Sequence, residues 1–176
     1  MFAKVGSIVR KDSKSSKKLK DLSAENKRLK AELKAKNEEI KYLSYHDELT
    51  GLYNRKFVYE ELERLKELGS FPISVIIVSL NKLKMINENH GHTQGDKYIK
   101  KAADLLQKNF KEGEILARIA GDELAVILKE TDQEQADKIA DKIINSFAQT
   151  NQDNNEEFPL SVSLGTSTMD AREAEV

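Results

Sequence analysis

Two adjacent carboxylates occupy the centre of the segment Ala117-Arg118-Ile119-Ala120-Gly121-Asp122-Glu123-Leu124-Ala125-Val126-Ile127. Apolar, strand-like runs flank a tight turn whose tip is Ala120-Gly121-Asp122-Glu123, the pattern of a hairpin. Mg²⁺ prefers carboxylate, phosphate and water oxygens. Asp122 and Glu123 on a hydrophobic hairpin are therefore suited to holding a divalent metal beside a phosphate. A second feature of the same kind lies at residues 81–84, where an apolar run passes into a helical pattern. Lys84 and the backbone N–H groups there could cradle phosphate. His90-Gly91-His92 invites a metal reading but fits a structural turn better. No Ser-His-Asp constellation and no G-x-x-x-x-G-K-[ST] loop is present.

The elements that must position these groups follow from hydrophobic period. Residues 56–67 read as a helix with Phe57, Leu62 and Leu65 inward, after a break and cap at Gly51 and Asn54; Gly69 ends it and Pro72 opens the next element. Ile73 to Leu80 is β-branched and nearly all apolar, which predicts a central strand buried on both faces. Helices are predicted at 82–89 and 94–110, then hairpin strands at 114–119 and 123–129. A helix is predicted at 133–149 with Ala136, Ile139, Ile143 and Phe147 on one face, a polar loop at 150–157, and a last strand at 159–166. The order β-α-β-β-α-β predicts an α/β (α+β) fold, a ferredoxin-like or palm-type mixed sheet with helices on one face.

The 176 residues suffice for one domain and an extension. With no Cys, a disulfide framework, a thiolate metal site and a cysteine nucleophile are excluded. No apolar run approaches the ~20 residues of a membrane span, and the start lacks the features of a signal peptide, so a cytoplasmic location is expected. Net charge is −1, unevenly spread: residues 1–30 hold ten Lys/Arg against three acids, about +7, leaving about −8 for the rest. Residues 1–15 are Lys/Ser-rich and expected to be a basic, disordered arm. Residues 16–45 carry a heptad, with Leu19, Asn26, Leu33 and Ile40 at a and Leu22, Leu29, Lys36 and Leu43 at d. This predicts a coiled-coil helix and a homodimer through 19–43, with Asn26 fixing register in a two-stranded pairing. The arm has no side chains suited to base readout recurring at helical spacing, so nucleic-acid binding is not expected.

Three ordered blocks carry a resemblance to a known family. Asp47-Glu48-Leu49-Thr50-Gly51-Leu52-Tyr53-Asn54-Arg55 resembles a D-x-L-T-G-L-x-N-R motif. Ser79-Leu80-Asn81-Lys82-Leu83-Lys84-Met85-Ile86-Asn87, continuing through His90-Gly91-His92 to Gly95-Asp96, resembles a D-x-D strand end followed by K-x-I-N, G-H and G-D. Ala120-Gly121-Asp122-Glu123-Leu124 resembles the signature turn. Together they are similar to the GGDEF family, whose diguanylate cyclases join two GTP into cyclic di-GMP. The resemblance implies residues 46–176 as a GGDEF-like domain. It implies Asn87 and Asp96 as readers of the guanine edge, an apt pairing of donor and acceptor chemistry, and Lys84 and Gly121 as further contacts to substrate. It implies Asp122 and Glu123 as catalytic carboxylates. Metal, Mg²⁺ or Mn²⁺ if the site is active, would be held by Asp122, the Leu80 backbone and an Asp at position 79.

Position 79 is Ser79, a neutral and poor ligand for Mg²⁺. Asn81 replaces the second Asp, and Ala120 the first Gly of the turn. Lys111-Glu112-Gly113-Glu114 stands where the resemblance implies an R-x-x-D product-binding motif, keeping the charge signs without the planar fork of Arg. The chain reaches Val176 before the helix and closing strand, with a Lys and an Arg for the triphosphate, that the resemblance implies. The expected function is thus a degenerate, C-terminally truncated GGDEF domain acting as a dimeric interaction or GTP-sensing module in cyclic di-GMP signalling. A protein partner is expected on the sheet left exposed. The alternative is a working diguanylate cyclase with a relaxed metal site.

Overall fold

A computed structural model describes residues 2–111, 114–153 and 157–171, the side chains of 2–17 and 153 excepted. The chain divides into two compact units, Met1–Tyr42 and Leu43–Val176. The first is a helix, α1, which runs Phe2–Tyr45 and so ends just inside the second unit. The helix begins at Phe2 where a disordered arm through residue 15 was expected. The Lys/Ser run contains no proline and one glycine, so nothing in it stops a helix from propagating. The heptad residues Leu19, Leu22, Leu29, Leu33, Ile40 and Leu43 are all at least half exposed.

The second unit is built on one sheet. Its strands are β1 (Tyr53–Asn54), β2 (Ile73–Leu80), β3 (Ile115–Arg118), β4 (Glu123–Leu128) and β5 (Val162–Met169), ordered β1-β3-β4-β2-β5. β2 is antiparallel to both neighbours, β3 and β4 form an antiparallel hairpin, and β1 is parallel to β3, so the sheet is mixed, as the element order predicts. The two-residue β1 is too short to leave a periodic signal.

Because strand side chains alternate, β2, β3 and β4 each feed two cores. Ile76, Val78 and Leu80 of β2, Leu116 of β3 and Leu124 and Val126 of β4 pack with helices α3 (Leu83–His90), α4 (His92–Lys108) and α5 (Gln133–Asp153). Ile73, Ile115, Ala117, Ala125 and Ile127 pack on the other face with Val58 and Leu65 of α2 (Arg55–Glu67). The expectation of helices on one face is corrected by α2, which covers the opposite face. β2 is likewise not buried on both faces throughout: Ser74, Ile76, Val78 and Leu80 are buried, whereas Val75, Ile77 and Ser79 are half-buried, because α2 covers only part of its face.

The last strand starts at Val162 rather than 159. Pro159 has no N–H to give a ladder, and the next two residues find partners elsewhere. Leu160 N donates to Asn151 Oδ1 (2.8 Å), Leu160 O accepts from Asn151 Nδ2 (2.7 Å), and Ser161 N donates to the Tyr98 hydroxyl (2.8 Å). With those backbone groups satisfied by side chains, pairing begins three residues later and runs on to Met169, which lies opposite Ile73.

Candidate functional site

The candidate site lies where the end of β2 meets the β3–β4 turn. The turn is closed by Ile119 N and Ala120 N, which both donate to Glu123 O (3.0 and 3.4 Å). It is joined to β2 by Leu80 N donating to Asp122 O (2.9 Å), which brings the Leu80 main chain beside Asp122. Ser79 pairs with Glu123 on one side and Ser163 on the other, so their side chains share one face of the sheet. Asp122 and Gly121 are exposed at the turn, and Glu123 is half-buried. The structure therefore brings Ser79, Leu80, Asp122 and Glu123 together.

Asn81 continues past β2 but turns toward β5. Its Nδ2 donates to Ser161 Oγ (3.2 Å), its Oδ1 accepts from Ser163 Oγ (2.8 Å), and its backbone N–H donates to Ser161 O (2.9 Å). This tether was not legible in the motif. Its only trace was the run of serines in the last strand.

Asn87 lies on α3, and its Oδ1 is buried with no hydrogen-bond partner. A Cβ on Gly95 would stand 1.9 Å from that oxygen, so glycine at the first turns of α4 is what leaves room for the Asn87 side chain. Gly91, at φ +82, makes the reversal between the two helices that a side chain would strain, and its N–H closes α3 on Asn87 O (3.0 Å). Asp96, next to Gly95, is exposed. Lys84 is exposed on α3, with Glu88 3.9 Å away. Lys82 takes the N-cap position of α3 without a side-chain cap, so the first N–H groups of that helix have no side-chain acceptor there.

The donor set does not suit a pair of divalent ions. Asp122 and Glu123 are the carboxylates of the turn, Ser79 offers a hydroxyl, and the Asn81 amide oxygen already accepts from Ser163. Among the described residues no group of three or more His, Cys, Asp or Glu side chains is placed to hold a metal. His90 packs edge-on against Phe158 (4.7 Å).

An ion pair that sequence reasoning missed supports the turn. Arg118, the last residue of β3, reaches Asp47 through Nη1 (3.3 Å to each carboxylate oxygen) and donates from Nη2 to Gly121 O (2.9 Å). Asp47 also accepts from Thr50 N (2.9 Å) and Thr50 Oγ1 (2.8 Å). Partial burial works against ionisation of Asp47, but the Thr50 hydrogen bonds and the Arg118 guanidinium outweigh it and hold its carboxyl below the ordinary range. The intact Asp47–Arg55 motif was the available signal, and Arg118 its missing partner. On the α2 face, Arg55 donates to the Tyr59 hydroxyl (3.0 Å) and lies within electrostatic reach of Glu123. A groove of about 360 Å³ there is lined by Arg55, Tyr59, Val75, Ile77, Ala120 and Glu123 among others. A separate cavity of about 430 Å³ includes His46, Tyr53, Gln107, Lys111 and Glu114. Lys111 N donates to Glu114 Oε2 (2.7 Å), while residues 112 and 113 of that motif lie outside the described residues.

This sheet order, with a paired-carboxylate turn joined to the end of the interior strand β2, defines a GGDEF-type domain. The family model for the diguanylate cyclase, GGDEF domain matches residues 44–176, and the chain belongs to that family. It is 30% identical over 117 residues to the probable diguanylate cyclase DgcT of Escherichia coli (strain K12), a match covering 66% of this chain and 26% of that protein. The chain thus spans about a quarter of that relative's length. The coiled coil and GGDEF domain of DgcB from Caulobacter crescentus, in complex with cyclic di-GMP, shares the fold at TM-score 0.72 and 23% identity, covering 89% of this chain and 83% of that one. A sensory box/GGDEF family protein from Caulobacter crescentus CB15 is 30% identical at TM-score 0.59, covering 74% of this chain and 88% of that one. Among the described residues no helix is long and apolar enough to cross a membrane.

Proposed function

We propose that this chain is a degenerate GGDEF module of cyclic di-GMP signalling, one that binds guanine nucleotide and turns over little or none of it. The observation that carries this reading is Ser79, opposite Glu123 at the end of β2. A cyclase site needs a carboxylate there, and loss of one well-placed electrostatic group typically costs about 10²–10³ in rate. Asn81 does not compensate, because its side chain is tied to Ser161 and Ser163.

In this reading Asn87 and Asp96 hold the guanine edge. The orphaned Asn87 oxygen is the kind of acceptor that a ligand N–H would satisfy. Lys84 and the backbone at Gly121 approach the phosphates. GTP is an intracellular nucleotide, so the module works in the cytoplasm. Two copies pair through 19–43, since six large apolar heptad residues are left exposed on α1. The half-covered sheet beside α2, where Ile73, Val75 and Met169 line a groove of about 220 Å³ with Tyr59 and Leu62, takes a protein partner.

The deciding experiment incubates the folded chain with GTP and Mg²⁺ or Mn²⁺ and measures cyclic di-GMP. No product is expected, and Ser79→Asp should raise turnover if the missing carboxylate is limiting. A second reading, a working cyclase, is favoured by the retention of Asn87, Asp96, Asp122 and Glu123. In it Asp122 and Glu123 are catalytic, with Asp122 and the Leu80 backbone on the metal. Product that disappears in Asp122→Ala would establish it and overturn the first.

A further inference from the structure

We infer that this site takes guanine nucleotide without a divalent cation, an inference that rests on the nucleotide-binding reading above. The segment running from β2 into α3 is Ser79-Leu80-Asn81-Lys82-Leu83-Lys84, with two lysines and no acid. A D-x-D-x-x-K segment would carry two carboxylates and one lysine. Charge at this strand end is therefore positive where such a segment would be net negative, and it faces a turn that carries Asp122 and Glu123. A pocket dominated by carboxylates repels a polyphosphate until cations intervene. Here Lys82 and Lys84, with Arg55 lining the same groove as Glu123, stand against Asp96, Asp122 and Glu123.

The remaining contacts need no metal. Asn81 is committed to Ser161 and Ser163, so its oxygen is not awaiting an ion. Lys84 is exposed and only loosely associated with Glu88 at 3.9 Å, which leaves its ammonium able to swing to phosphate. Lys82 and the first N–H groups of α3 lie at the same end of the helix. Asn87 and Asp96 reach the base through hydrogen bonds alone. With Ser79 and Asn81 in place of two acids, this strand end offers a cation no carboxylate and adds no negative charge to the site.

The test is calorimetric titration of the full chain with GTP, once in Mg²⁺ and once in EDTA. The two Kd values should agree within about threefold. The Ser79→Asp/Asn81→Asp double variant should bind about tenfold or more weakly in EDTA and recover in Mg²⁺. Because Asn81→Asp also removes the donor to Ser161, Ser79→Asp alone is titrated, and a dependence in the same direction is expected. Asn87→Ala should abolish binding in both buffers; binding that survives it occurs elsewhere and overturns the inference. Wild-type binding seen only with Mg²⁺ overturns metal independence and leaves the guanine site standing. No binding in either buffer, by a chain whose circular dichroism shows it folded, overturns the site reading and the inference together.

Discussion

Arg118 joins two distant parts of the chain: its guanidinium lies 3.3 Å from both carboxylate oxygens of Asp47 and donates to the carbonyl of Gly121. One side chain thus fastens the segment that follows α1 to the turn that carries Asp122 and Glu123. Both partners are largely shielded from solvent, so the pair is screened less than a surface ion pair.

Breaking this pair is expected to destabilise the domain. Arg118→Met leaves Asp47 half-buried without its cation, and hydrogen bonds to charged groups contribute about 1.5–3 kcal/mol. Urea denaturation should show a loss of that order. The pH dependence has a definite sign. The folded carboxyl titrates below its ordinary value, so the stabilisation is complete above about pH 5 and fades as pH falls below about 3.9 toward the folded value. Asp47→Asn should start less stable at neutral pH and lose less on acidification; an unchanged acid profile would sink the assignment.

Gly95→Ala tests the Asn87 cradle. The added methyl would stand 1.9 Å from Asn87 Oδ1, so the amide must move. Overpacking of this kind costs about 1–3 kcal/mol. The variant should remain folded by circular dichroism and lose most guanine-nucleotide affinity. Retention of wild-type affinity would show that the Asn87 side-chain position is irrelevant to binding.

Asn151 should be a stability residue although it lies on a polar stretch. Its amide satisfies both backbone groups of Leu160 (2.7 and 2.8 Å), and Leu160 itself is 3% exposed. Asn151→Ala leaves two backbone groups without their partners, at about 1–3 kcal/mol each before relaxation. A lowered midpoint in thermal unfolding is expected. The neighbouring Gln152 is exposed, so Gln152→Ala serves as the control and should change stability by no more than about 0.5 kcal/mol.

The heptad seam should set the oligomeric state. Leu29→Lys and Leu33→Lys together place charges in a seam whose residues are 55% and 61% exposed in the single chain. Sedimentation should show a dimer for the wild type and a monomer for the variant, with the Leu43–Val176 unit still folded. Asn26→Leu should instead tighten association and relax its two-stranded register. A wild-type monomer at high concentration would exclude pairing through 19–43.

The sequence by itself determined the family and the sheet-forming runs, and it singled out the candidate site residues. The reason is local: alternation and heptad period are written in neighbouring residues, and the Asp122-Glu123 turn and the Asn87-to-Asp96 spacing are motifs read along one segment. The same reading extended β2's burial to both faces and began the last strand at 159, because it could not know where α2 lies or that Asn151 and Tyr98 take the Leu160 and Ser161 backbone groups out of the ladder. Only the tertiary structure decided what Asp47, Asn81 and Gly95 do. Their partners are Arg118, 71 residues away, Ser163, 82 residues away, and Asn87 on a different helix. Hydrogen bonds and steric contacts act over a few ångströms in space, whatever the separation along the chain, so no pattern within one segment could have announced them.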